Sequence, residues 1–136
     1  MRALLCLLVL LLSLPALAQD AGERQTIRGV IERQIEAFKR DDGREAFSYA
    51  TPQLQAQFGS VDVFMSMVRS GYAPVYRPRQ YRFEELRTID GRIAQPVHVV
   101  GPDGQAKLAL YFMERQSDGT WRISGCVLLE LEGDEA

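Results

Sequence analysis

The sequence predicts an α+β domain, with N-terminal helices packed on one face of a curved four-stranded antiparallel meander. Apolar residues recur at helical spacing from Gly22 to Ser70, and beyond Gly71 the period shortens to strand alternation. Three turn signals punctuate that second half: Asp90-Gly91, Gly101-Pro102-Asp103-Gly104 and Asp118-Gly119. The composition agrees: 136 residues, 46% hydrophobic and 25% charged, fit one folded domain and exclude a disordered chain, a collagen-like repeat or a multidomain enzyme. A formal net charge of -2 lacks the cationic surplus of a nucleic-acid binder, so no nucleic-acid partner is expected.

The N-terminus carries its own signal. Met1-Arg2 is followed by an apolar run from Ala3 to Leu14, broken by Ser13, then by small residues at Ala16 and Ala18. The run is too short to span a bilayer and its end matches a signal-peptidase site. Residues 1–18 are therefore read as a signal peptide cut between Ala18 and Gln19, and residues 19–136 as a single exported domain, periplasmic or secreted, with no membrane span. An uncleaved anchor is the rival reading. Cys6 leaves with the leader, so the mature chain keeps Cys126 and cannot form an intrachain disulfide.

Ile27, Val30, Ile31, Ile35 and Phe38 place one apolar stripe on a helix from Gly22 to Arg40, with Arg and Glu on its other face. Asp41-Asp42-Gly43 interrupts it, and an Asp there suits the cap of a short helix whose inward residues are Ala46, Phe47 and Ala50. Thr51-Pro52 reads as N-cap and first position of a further turn carrying Leu54 and Phe58. Gly59-Ser60 opens a helix through Ser70; its apolar set Val61, Val63, Phe64, Met65, Met67 and Val68 exceeds one stripe, which predicts burial on two sides. Pro74 and Pro78 then predict a rigid extended connection.

The turn signals divide residues 79–131 into strands near 80–89, 92–100, 105–116 and 120–131. In the third, Leu108, Leu110 and Phe112 point one way and Ala109, Tyr111 and Met113 the other, so both faces are apolar. In the fourth, strict alternation groups Trp121, Ile123, Val127 and Leu129 against Arg122, Ser124, Cys126 and Leu128. Helices cover one face, and the other predicts a homodimer through the sheet, unless the sheet curls to shelter itself. The acidic end, Glu130 to Glu135, is expected to fray.

The order helix, Phe38-Lys39-Arg40-Asp41-Asp42-Gly43, short helices, and a meander ending Gly119-Thr120-Trp121-Arg122-Ile123 resembles the nuclear-transport-factor-2-like (NTF2-like, or SnoaL-like) superfamily. That resemblance implies a cone in which a curled sheet wraps a long helix, often dimerising through the sheet. Phe58-Gly59-Ser60, Phe64-Met65-Ser66-Met67-Val68-Arg69, Gly71-Tyr72-Ala73-Pro74-Val75-Tyr76-Arg77-Pro78 and Gly125-Cys126 are similar to an exported bacterial family, domain of unknown function 4864. It implies no activity. The superfamily holds steroid-isomerase and scytalone-dehydratase types as well as silent binding modules, and fold alone does not choose between them.

Between Asp62 and Glu84 the chain has Arg69, Arg77, Arg79 and Arg82 but no acid, interleaved with Tyr72, Tyr76, Tyr81 and Phe83. Such a segment suits a carboxylate or phosphate. It suits equally well a structural use, in which guanidiniums satisfy carbonyls at a helix C-terminus and stack on tyrosines. His98, the single histidine, faces away from Val97 and Val99 and is either a base or a satisfied surface residue. Meander order sets the strands of His98 and Cys126 about 9.6 Å apart, at about 4.8 Å per strand, which disfavours a dyad and leaves Cys126 as a core thiol. Adjacent Glu84 and Glu85 face opposite sides. No zinc set, Gly-rich phosphate loop, G-x-S-x-G or H-E-x-x-H motif is present, and no cofactor is expected.

The expectation is a non-catalytic module that binds a small anionic or amphiphilic ligand, or a partner. Its candidate site residues are Arg69, Tyr72, Tyr76, Arg77, Arg79, Tyr81 and His98. A small lyase or isomerase using Tyr76, Tyr81, His98, Glu84 or Glu85 in a cone cavity is the first alternative, and a dimeric interaction module is the second.

Overall fold

The computed structural model describes residues 16–131. Five helices come first: α1 (Ala16–Lys39), α2 (Gly43–Ser48), α3 (Pro52–Phe58), α4 (Val61–Gly71) and α5 (Ala73–Tyr76). Five strands follow: β1 (Gln80–Phe83), β2 (Arg87–Ile89), β3 (Arg92–Val100), β4 (Ala106–Arg115) and β5 (Trp121–Glu130). The fold is α+β, with an open, curved, wholly antiparallel sheet. The apolar run Ala3–Leu14 and the acidic residues after Leu131 lie outside the described residues, and the expected cleavage position falls in the first turn of α1.

Local chemistry sets the helix boundaries. Asp42, Thr51 and Ser60 each accept a hydrogen bond from the backbone N–H three residues on, at 3.1, 3.2 and 3.2 Å, and so cap α2, α3 and α4. Gly43 allows α2 to lie against α4, since a Cβ there would fall 2.7 Å from Met65 Cγ. Two expectations change. The connection after Gly71 is not extended: Pro74 sits in the first turn of α5, where a missing N–H costs nothing. Nor is α4 buried on two sides. Phe64, Met65 and Val68 are buried, but Val63 is 54% exposed.

The sheet has five strands where four were expected, because the strand expected over 80–89 is broken. β1 and β2 both pair with β3, Phe83 opposite Val97 and Arg87 opposite Ala94. Three residues between them face two on β3. Pro96 explains the break. Glu84 N–H donates to Pro96 O at 3.0 Å, but Pro96 has no N–H to return, so Glu84 O would be orphaned. Gln95 Nε2 at 2.7 Å and Arg28 Nη2 at 3.3 Å donate to it instead. The turn between β2 and β3 is the Asp-Gly hairpin expected, with Asp90 at φ 51° and Gly91 at φ 76°.

On β5 the alternation slips. Phe112 pairs with Gly125 and Met113 with Ile123, so Ser124 is the extra residue of a bulge. Trp121 and Ile123 therefore lie on the same face as Cys126 and Leu128, and opposite to Val127 and Leu129. This corrects the grouping expected from strict parity. The inner face formed this way packs on Ile27, Val30, Ile31 and Ile35 of α1. A second cluster joins Phe38 to Ala46 and to Phe64 of α4, whose ring lies 5.1 to 6.0 Å from those of Phe47, Phe58 and Phe38. Val127 and Leu129 of the outer face are 43% and 39% exposed.

Candidate ligand cavity

The two clusters do not meet everywhere. Between α1, α3 and α4 on one side and β4 and β5 on the other lies a cavity of about 350 Å³, a volume within the range that small molecules occupy, roughly 300–1,000 Å³. Buried Phe38, Phe64, Val75 and Tyr111 line its depth, and Gln57, Arg92 and Val127, all exposed, line its mouth. The bulge at Ser124 shapes one wall. It brings Ile123 inward and leaves Gly125, with no side chain, at the cavity edge. Above it the free edge of β5 is clipped: Ile123 N–H donates to Tyr49 O at 2.8 Å, and Thr51 N–H donates to Ile123 O at 2.9 Å.

Few polar groups line this space, and most are occupied. Gln34 Nε2 donates to Ala46 O at 3.2 Å, Tyr72 OH to Cys126 O at 3.0 Å, and Ser124 Oγ to Phe112 O at 3.2 Å. The Tyr111 hydroxyl is buried without a partner. Burial pushes the tyrosines at 72 and 111 above the usual phenol range, the second strongly, and raises the Cys126 thiol to about 12. Part of Cys126 reaches solvent, but its sulfur does not behave as a thiolate near neutral pH. Arg92 is the charged lining residue, and its guanidinium sits 3.9 Å over the Phe112 ring.

The seven candidate residues do not converge. Tyr72 lines the cavity. Tyr76, Arg69 and Arg77 instead build a clasp on the surface around Asp41, which holds a left-handed φ of 54°. Tyr76 OH donates to the Asp41 carboxylate, Arg77 Nη2 pairs with it at 3.0 Å, and Arg69 Nη2 lies at 3.9 Å. Both guanidiniums stack on Tyr76, at 5.8 and 4.0 Å from the ring centre, and Arg77 also donates to Phe38 O at the end of α1. The Tyr76 hydrogen bond, then the two arginines, hold the Asp41 carboxyl below its usual value. Arg79 donates to Pro102 O at 2.5 Å. This is the carbonyl-satisfying, tyrosine-stacking use of arginine, directed at α1 and a hairpin turn and not at the C-terminus of α4.

Tyr81 and His98 share a separate depression of about 290 Å³ with Gln80 and Arg82. Tyr76, Tyr81, His98, Glu84 and Glu85 are all absent from the lining of the main cavity. His98, opposite Leu108, and Cys126, opposite Tyr111, lie on strands separated by β4. Among the described residues no group of three or more His, Cys, Asp or Glu could hold a metal, and no helix is long and apolar enough to cross a membrane. The sequence pointed away from Tyr111 and Arg92. Tyr111 was legible only as one inward position in an apolar strand, and Arg92 only as the residue after a turn.

Fold and site together define an α+β protein whose helices and open curved sheet enclose a largely apolar cavity. The family model described as Domain of unknown function (DUF4864) matches residues 20–136, and the chain belongs to that family. No curated protein and no solved structure gives a match.

Proposed function

We propose that this protein is an exported binding module that takes a small, predominantly apolar or amphiphilic molecule into the cavity between α1, α4 and β5. The supporting observation is the cavity itself: about 350 Å³, walled by aromatic and aliphatic side chains and open at one end. Its lining holds no His, Asp or Glu, and Tyr72, Tyr111 and Cys126 are pushed above their usual ranges, which favours binding over acid-base turnover. The element order supports placing the fold among NTF2-like cones, and the leader of Met1 to Ala18 supports export. Thermal melting of residues 19–136 against a panel of short ketones, alcohols and fatty acids tests the reading. Stabilisation by some of them is expected, and no shift across the panel would overturn it.

A second reading concerns assembly. Leu108, Leu110, Val127 and Leu129 share the outer sheet face, and the last two are well exposed. We infer that a second copy of the chain covers them. Light scattering should give a dimer that Val127→Lys with Leu129→Lys converts to monomer; a monomeric parent excludes it.

A further inference from the structure

The cation at the cavity mouth is held in place by its contacts. Arg92 opens β3, and its guanidinium carbon lies 3.9 Å from the centre of the Phe112 ring. That ring in turn reaches Gly125, coming 3.9 Å from where a Cβ there would stand. All three residues line the cavity. Phe112 is 7% exposed whereas Arg92 is exposed, so the cation is the part of this stack that a molecule entering from solvent meets first. Stacking occupies only the face of a guanidinium; its N–H donors lie in the plane and point past the ring edge. Arg92 makes no hydrogen bond or ion pair among the described residues that would use them. Even Glu114, one residue beyond the cross-strand partner of Ile93, is not paired with it and lies opposite Arg122 of β5.

We propose that Arg92 is the head-group anchor of this site and that the ligand is an anionic amphiphile, a medium-chain carboxylate whose charge pairs with the guanidinium while its alkyl tail fills the apolar depth. The proposal rests on the cavity reading and specifies its ligand. The planar fork of a guanidinium matches a carboxylate through two parallel hydrogen bonds. A head held at the mouth keeps its remaining lone pairs in water, so the charge is not buried unpaired. The inverted pose would set it among Phe38, Phe64, Val68 and Val75, where the lining supplies no second cation. The amide of Gln34 and the hydroxyls at 72 and 124 do not offer an alternative anchor, because each already donates to a backbone carbonyl.

A matched pair of probes tests it, since octanoate and octanol share a tail and differ in the charge of the head. In calorimetric titrations at neutral pH and low salt, Arg92→Gln should weaken octanoate binding about fivefold, as for one partly screened ion pair. It should leave octanol within about twofold, which also shows that the variant is folded. Arg82→Gln removes the same charge at an exposed position outside this lining and should change neither. Added salt should weaken octanoate in the parent and not in Arg92→Gln. Lengthening the tail from hexanoate to octanoate should tighten binding about tenfold in both proteins, because two more methylenes leave water. Equal changes for octanoate and octanol in Arg92→Gln, no change for either, an equal loss of octanoate in Arg82→Gln, or no gain from the longer tail overturns the anchor, while octanol bound to the parent keeps the cavity reading standing. Failure of both octanoate and octanol to bind the parent overturns the cavity reading.

Discussion

Asp41 shows how one residue joins separate helices. Its left-handed backbone turns the carboxylate from the end of α1 toward Tyr76, Arg77 and Arg69 of the α4–α5 region. Asn tolerates the same backbone, so Asp41→Asn isolates the charge. Because the folded carboxyl is depressed below 3.8, its contribution is present above that value and fades as pH falls through the lower folded value. Urea unfolding should therefore separate parent from variant at pH 7, and the gap should narrow below pH 3.8; a gap independent of pH contradicts the clasp. Cys126 has the opposite sign. Its thiol, raised to about 12 by burial, costs nothing below the unfolded value of about 8.5 and destabilises the fold progressively as pH rises from there. Iodoacetamide at pH 8 should alkylate the native protein far more slowly than the urea-unfolded chain, and comparable rates would show an accessible thiolate.

At the scale of elements, the two departures within the sheet share a cause: a residue that interrupts the regular strand ladder without changing the hydrophobic pattern. The caps at Asp42, Thr51 and Ser60, the stripe on α1 and the hairpin at Asp90-Gly91 were legible because each depends on chemistry within a few residues. The bulge at Ser124 was not, because an extra residue is defined by the partner strand. Deleting Ser124 removes the extra residue and should leave Met113 opposite Ile123 and Arg115 opposite Trp121, both large apolar side chains still facing inward, with the melting temperature lowered only slightly; a loss of about 3 kcal/mol or more, as expected if the two were turned outward, would contradict the register. The break between β1 and β2 makes a subtler prediction. Gln95→Met should cost about 1 kcal/mol by withdrawing a donor from Glu84 O. It should cost less in a Pro96→Ala background, where a backbone N–H is restored, and additive effects in urea unfolding would show that the two residues do not share that carbonyl.

For the molecule as a whole, the sequence specified where the apolar mass lies better than where it stops. Both core clusters are built from residues that periodicity marks, yet the gap between them depends on how far α4 stands from β5, a distance no local pattern encodes. The candidate site suffered most from this. Arginines and tyrosines close in sequence drew attention to residues 69–81, while folding spent most of them on Asp41, Phe38 O and Pro102 O. The cavity instead draws on α1, α4, β4 and β5, distant segments that only the tertiary structure assembles.

The missing proton on Pro96 reaches beyond its own strand. Sliding β1 along β3 by one step would not fill that blank position, and it would turn Tyr81 and Phe83 away from the core they pack against. The Gln95 amide travels with Pro96 on the same strand, so the proline and its neighbour form a ready-made receptor for one carbonyl, and the side chains of β1 decide which residue supplies it.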